Sequence, residues 1–168
     1  MKKNDKNQQI KIIKIILIVI WMVVIFSFSN QGGTKSSNTS QKVTKVIIDM
    51  VGNDSKAQNE QFIANLEKVI RKLAHYSIYT VGGILIMSYS YTLDKPRRQQ
   101  VCESLIFGAF YAVTDELHQF FVPGRSARFF DIGIDTLGVF TGIGIYIVLR
   151  KCIERVSRND TEELKTKI

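Results

Sequence analysis

The chain has 168 residues, 45% of them hydrophobic, and 23 Lys and Arg against 15 Asp and Glu give it a formal net charge of +8. This is one domain's length of protein, and two cysteines, Cys102 and Cys152, are too few for a disulfide framework and lack metal-binding spacing. No helix-turn-helix, zinc or RNA-binding signature accompanies the basic excess, which excludes nucleic acid as a partner and leaves topology and contact with anionic headgroups as its meaning.

Five lysines, from Lys2 to Lys14, surround or precede the first apolar run. A span over residues 10–28 is long enough to cross a hydrocarbon core of about 30 Å, with the lysines snorkelling. A cleaved signal peptide is the alternative, with Ser27-Phe28-Ser29 as a weak small-x-small site. Residues 30–72 form an outer loop, opened by Gly32-Gly33 and a Ser/Thr/Asn cluster. Within it Val43, Val46, Ile47, Met50 and Val51 recur at helical spacing, as do Phe62, Leu66, Val69, Ile70 and Leu73. The first set predicts a short amphipathic helix at the membrane surface. The second predicts a helix running straight into the next span.

That second span covers residues 73–93, and the basic turn DKPRRQQ, with Pro96 as helix stop, follows it. The third span, 101–122, carries Asp115, Glu116, His118 and Gln119 in its distal third. Pro123-Gly124 then predicts a turn in which Gly124 takes a positive φ. The fourth span, 129–149, ends at Arg150 and Lys151, before a polar tail, 150–168, expected as a frayed or surface helix. Cys102 and Cys152 are expected to be inert packing residues, Glu103 a snorkelling or cap residue, and Phe120, Phe121, Phe129 and Phe130 an interfacial aromatic anchor. The expectation is an all-α, four-span membrane bundle forming a single domain. Of the 23 Lys and Arg, 14 fall on the side of the termini and the basic turn. The positive-inside rule therefore places both termini in the cytoplasm of a cell membrane.

Helical rise then fixes depth. Counted from Lys14, Asp94, Gln100 and Arg150, residues Ser29, Tyr79, Asp115 and Asp135 all lie 15 positions along, about 22 Å up at 1.5 Å per residue. His75, His118, Gln119 and Asp131 fall about a turn higher, and Arg71, Lys72, Arg125 and Arg128 higher still. Faces agree with heights: Arg71, His75 and Tyr79 recur every fourth residue, Asp115, His118 and Gln119 share a face above Tyr111, and Asp131, Asp135, Gly138 and Gly142 form a stripe. Gly138-x-x-x-Gly142 permits close helix contact. Ionisable groups at membrane depth belong in a bundle interior with partners, so these stripes should face one another.

The segments RKLAHYSIY (71–79), YAVTDELHQFFVPGR (111–125) and DIGIDTLG (131–138), in that order, resemble the VanZ-like family of bacterial membrane proteins, over nearly everything from Trp21 to Leu149. Ser29–Gln31 resembles the family's polar exit from its first span. The resemblance marks Lys72, His75, Tyr79, Asp115, Glu116, Gln119, Pro123, Gly124, Arg125, Asp131 and Gly138 as motif positions; Asp135 stands where the pattern also takes Asn. It implies a contribution to tolerance of lipoglycopeptide antibiotics of the teicoplanin type.

Three readings of the cluster stay open. In one, Arg71, Lys72, Arg125 and Arg128 ring an outer-leaflet site for an anionic lipid or cell-envelope component, since guanidinium groups suit planar, bidentate contacts. In another the chain is an enzyme acting on envelope lipids or lipid-linked glycans, with Asp115, Glu116 and His75 as catalytic candidates and Asp115, His118 and Asp131 as metal-ligand candidates, although the spacing is not His-Glu-x-x-His. In the third, four acids and four bases neutralise one another and hold the bundle together. The binding reading is the expectation, with membrane lipids as partners and no cofactor.

Overall fold

The computed structural model describes residues 3–30, 33–51, 60–125 and 128–166. Among them are five helices and no strand: α1 (Lys3–Ser29), α2 (Gly33–Val51), α3 (Glu60–Ser90), α4 (Arg97–Phe120) and α5 (Phe129–Thr166). Two of these contain stretches long and apolar enough to cross a membrane, Asp5–Ser29 and Phe129–Asn159. Helices α3 and α4, with 31 and 24 residues, reach about 46 and 36 Å at 1.5 Å per residue. They also carry most of the cluster's ionisable residues, which lowers their apolar character without shortening them.

Helix α3 is the centre of the assembly and packs against each of the other four. Its seam with α5 is the most extensive, and glycines create it. A Cβ on Gly142 would overlap the carbonyl of Thr80, and one on Gly138 would lie 2.6 Å from the carbonyl of Tyr76. The sequence's small-xxx-small pattern thus becomes backbone-to-backbone contact. On the opposite side of α3, Gly82 accepts the ring of Trp21 from α1. The indole N–H of Trp21 donates to Ile78 O at 2.9 Å, so this large side chain is both packed and satisfied. Trp21, Tyr79 and Tyr111 form an aromatic junction between α1, α3 and α4, with centroids 5.7 and 5.1 Å from the indole. Ile25, Met87, Ala112, Val139 and Ile143 extend the core above and below it.

The outward faces are apolar as well. Ile106, Phe110, Leu117, Phe140 and Val148 are each more than half exposed, a surface that water-soluble monomers rarely leave bare and that hydrocarbon would cover.

The two ends of the bundle differ. At the end carrying the termini, Gln100 donates to Leu93 O and Lys95 O, both at 3.1 Å, and ties the turn between α3 and α4. Lys14 donates to Ser88 O at 2.7 Å in the last turn of α3, where a cation meets the negative end of the helix dipole. Guanidinium groups of Arg97 and Arg150 lie 4.8 and 4.6 Å from the Tyr91 ring, whose hydroxyl donates to Glu154 at 2.7 Å. Glu103, expected as a snorkelling or cap residue, instead accepts from Lys95 and Gln99 in an exposed pairing.

Several expectations are corrected here. The polar opening of the 30–72 loop is helical from Gly33 onward, in a helix that packs on α3. Pro96, expected to stop a helix, stands as the N-cap of the next one, with φ −55°; a ring-fixed φ suits a helix start. The tail is helical, as expected, and it continues α5 without a break to Thr166, since no glycine or proline follows Gly144. Cys102 and Cys152, expected as packing residues, are exposed.

Candidate functional site

At the other end, α4 and α5 are joined by the predicted turn. Gly124 has φ 77°, the one positive φ among the described residues, and the N–H of Arg125 returns to Val122 O at 3.2 Å. Its aromatic flanks, Phe120, Phe121, Phe129 and Phe130, are all strongly exposed, as an interfacial anchor would be.

Behind this hairpin is a cavity of about 160 Å³, ample for a phosphate-sized anion or a few waters. Arg71, Lys72 and His75 from α3, Glu116 and Gln119 from α4, Arg125 and Arg128 from the connection, and Asp131 and Asp135 from α5 line it. Gly124, a motif position, completes the wall with Lys68 and Ile134, which were not singled out from sequence. Lys68 was legible in principle: it precedes Lys72 by one helical turn on the same face. Five cationic side chains therefore face three carboxylates in the lining.

The pairing is specific. Lys72 Nζ donates to Asp131 Oδ1 at 2.6 Å and lies 4.6 Å from the centre of the Phe130 ring. Glu116, 4% exposed, accepts the backbone N–H of Arg128 at 2.6 Å. Gln119 donates to Asp115 at 2.9 Å and to Ser29 at 3.3 Å, so the polar end of α1 joins the network. Arg125 donates to Phe28 O at 3.1 Å. Burial, followed by the positive charge of Arg71, holds the Arg125 guanidinium below the ordinary arginine value, while Asp115 and Glu116 act in the opposite sense.

Beneath the rim lies a floor. His75 Nδ1 is 3.7 Å from Asp135 Oδ1, and ligand-type atoms of His75, Asp115 and Asp135 all come within 4.8 Å of one another. Asp115 and Asp135 are 4% and 1% exposed. Asp115 Oδ1, both Asp135 oxygens, Tyr79 Oη and, at the rim, Arg71 Nε have no hydrogen-bond partner. A buried polar atom without a partner costs on the order of 1–3 kcal/mol.

The expected set is therefore divided by the fold. Arg71, Lys72, His75, Glu116, Gln119, Arg125, Arg128, Asp131 and Asp135 share the cavity; Asp115 and Tyr79 sit below it. His118 does not join: its ring stacks on Phe26 of α1, with centroids 4.6 Å apart. Of the metal-ligand candidates Asp115, His118 and Asp131, only Asp115 belongs to a convergent group among the described residues, and its companions are His75 and Asp135. Asp131 is taken up by Lys72 instead.

The comparisons agree with the motifs. The sequence pattern of the VanZ/LLP1 family matches residues 14–150. The chain belongs to that family. No curated protein and no solved structure gives a significant match. Membership together with two membrane-length apolar helices is compatible with a membrane protein of the VanZ-like type.

Proposed function

We propose that this VanZ-like chain spans the cell membrane four times, through α1, α3, α4 and α5, with both termini in the cytoplasm and the α4–α5 hairpin outside. The cavity then opens near the outer leaflet and recognises an anionic lipid or cell-envelope component. By occupying or reshaping that surface it contributes to tolerance of lipoglycopeptide antibiotics of the teicoplanin type.

One observation carries this reading. Arg71 and Arg125 line one cavity with Lys68, Lys72 and Arg128, five cationic side chains against three carboxylates. Like charges at close range are costly, and an anion between two guanidinium groups turns that repulsion into charge-assisted hydrogen bonds. The outward apolar faces and the exposed aromatic flanks of the hairpin support the membrane setting.

The experiment is a binding titration of purified protein in a neutral detergent with short-chain phosphatidylglycerol, with phosphatidylcholine as control. Binding should be selective for the anionic lipid and weaken about 10- to 100-fold in Arg71→Ala and Arg125→Ala, the loss expected for charge-assisted hydrogen bonds. In cells carrying the protein, substitution of Asp115, Glu116 or Arg125 should abolish protection against teicoplanin while leaving insertion intact. If all three variants protect as well as the parent, the site reading fails.

A second reading, a membrane-embedded enzyme acting on envelope lipids or lipid-linked glycans, is favoured by the convergence of His75, Asp115 and Asp135 under the anion-sized cavity. Turnover of labelled envelope lipid by purified protein distinguishes it; a binder gives saturable retention only.

A further inference from the structure

We infer that the cavity floor is a binding site for a divalent transition-metal ion of the zinc type, held by His75, Asp115 and Asp135. The inference goes beyond anion recognition, because it uses the floor residues and not the rim cations.

The three side chains come from three helices, α3, α4 and α5, and each offers one ligand atom within 4.8 Å of the others. Tetrahedral coordination at about 2.0–2.2 Å from each N or O donor places donors near 3.5 Å apart. The observed spread closes to that separation by side-chain rotation of an ångström or so. Asp135 makes no hydrogen bond and meets only His75, at 3.7 Å, while Asp115 leaves Oδ1 open and holds Gln119 through Oδ2. An acidic cluster alone would not justify a site. The second observation is burial without partners at the cavity wall: Asp135, 1% exposed, lines the cavity with neither oxygen hydrogen-bonded, and the hydroxyl of Tyr79, 0% exposed, has no partner within hydrogen-bond geometry. A water or substrate oxygen on a metal at this point gives that hydroxyl its partner.

Donor chemistry selects the metal. Mg²⁺ and Ca²⁺ prefer all-oxygen cages, whereas an imidazole with two carboxylates suits Zn²⁺ and its neighbours. Three protein donors leave a coordination position open toward the cavity, the arrangement of sites that bind an exchangeable ligand. Two buried carboxylates side by side favour a cation between them, and Lys72 is committed to Asp131.

The test uses the full chain in detergent, with Cys102 and Cys152 changed to Ser because both thiols are exposed and bind zinc adventitiously. Chelator-stripped protein is titrated with Zn²⁺ by calorimetry, and metal content is measured after desalting. Equimolar binding is expected, weakened at least about tenfold in Asp135→Asn and His75→Gln and unchanged in Glu103→Gln at the far end. Zinc should also raise the unfolding temperature of the parent and not of Asp135→Asn. If Asp135→Asn does not insert, Asp115→Asn replaces it in both measurements. Parent protein that takes up no Zn²⁺, or that takes it up no better than the Asp135 or Asp115 variant, overturns the proposal. Phosphatidylglycerol binding by stripped protein, measured separately, reports on the rim reading, so either proposal fails without the other.

Discussion

The carboxylate of Glu116 on α4 accepts the backbone N–H of Arg128, at 2.6 Å, just ahead of the first residue of α5. It satisfies one of the donors that every helix start leaves open and sets a negative charge at the positive end of the helix dipole. One buried acid thus closes the hairpin that forms the cavity's lip. Glu116→Ala should lower stability by about 1–2 kcal/mol, the range for losing a capping acceptor and its charge at a partly buried helix start. Glu116→Gln, which keeps an acceptor without the charge, should recover part of the loss. Thermal unfolding in detergent measures both, and equal stability of the two variants would remove the charge from the account.

The glycine seam predicts a contrast within α5. Gly142→Val must drive a side chain into the Thr80 carbonyl and pry α3 from α5, an overpacking cost of about 1–3 kcal/mol or more. Gly144, two residues along, has nothing within 4 Å of its missing Cβ. Gly144→Ala should therefore stabilise by about 0.5–1 kcal/mol through helix propensity alone. Opposite shifts in unfolding temperature are the expected outcome; similar shifts would mean the seam is not where the helices meet.

Lys72 and Asp131 are each about one-third exposed, so their short ion pair is worth less than its geometry suggests. A double-mutant cycle with Lys72→Met and Asp131→Asn should give a coupling of roughly 0.5–1 kcal/mol in stability. The more telling readout is lipid binding. Asp131→Asn releases a cation into the cavity, so phosphatidylglycerol should bind the variant more tightly than the parent. Weaker binding would indicate that Asp131 itself contacts the ligand.

Much of this architecture was legible in the residues. A rise of 1.5 Å per residue put Ser29, Tyr79, Asp115 and Asp135 at one height, and Ser29 does reach Asp115 through Gln119 while His75 reaches Asp135. The Gly138-x-x-x-Gly142 stripe and the Pro123-Gly124 turn were equally plain. What spacing left open was rotation about each helix axis. At 100° per residue, Asp115, Glu116 and Gln119 define an arc on α4, and His118 lies on its flank, toward α1 and Phe26. Sharing a broad face with Asp115 was not enough; the identity of the neighbouring helix decided the partner. Asp131 and Asp135, one turn apart on the same stripe, part for a similar reason: Lys72 is long enough to claim the upper acid, and His75 is left with the lower one.

The proposed topology makes a prediction that needs no ligand. Cys102 sits at the start of α4 and Cys152 late in α5, both at the end of the bundle carrying the termini, and both are exposed. With that end in the cytoplasm, a membrane-impermeant maleimide added to intact cells should leave them unlabelled and should label them after lysis. Pro123 and Gly124 form the exposed tip of the opposite hairpin. A Pro123→Cys substitution in a Cys102→Ser, Cys152→Ser background should react in intact cells. The charge bias behind this orientation is moderate, 14 of 23 Lys and Arg on the inner side, and the cavity's own cations account for part of the outer share. Five of the nine outer cations, Lys68, Arg71, Lys72, Arg125 and Arg128, line the cavity, where acids of the same cluster offset them. Removing them from the count strengthens the positive-inside signal. Labelling of Pro123→Cys only after lysis would reverse the orientation and move the anion-binding cavity to the cytoplasmic leaflet.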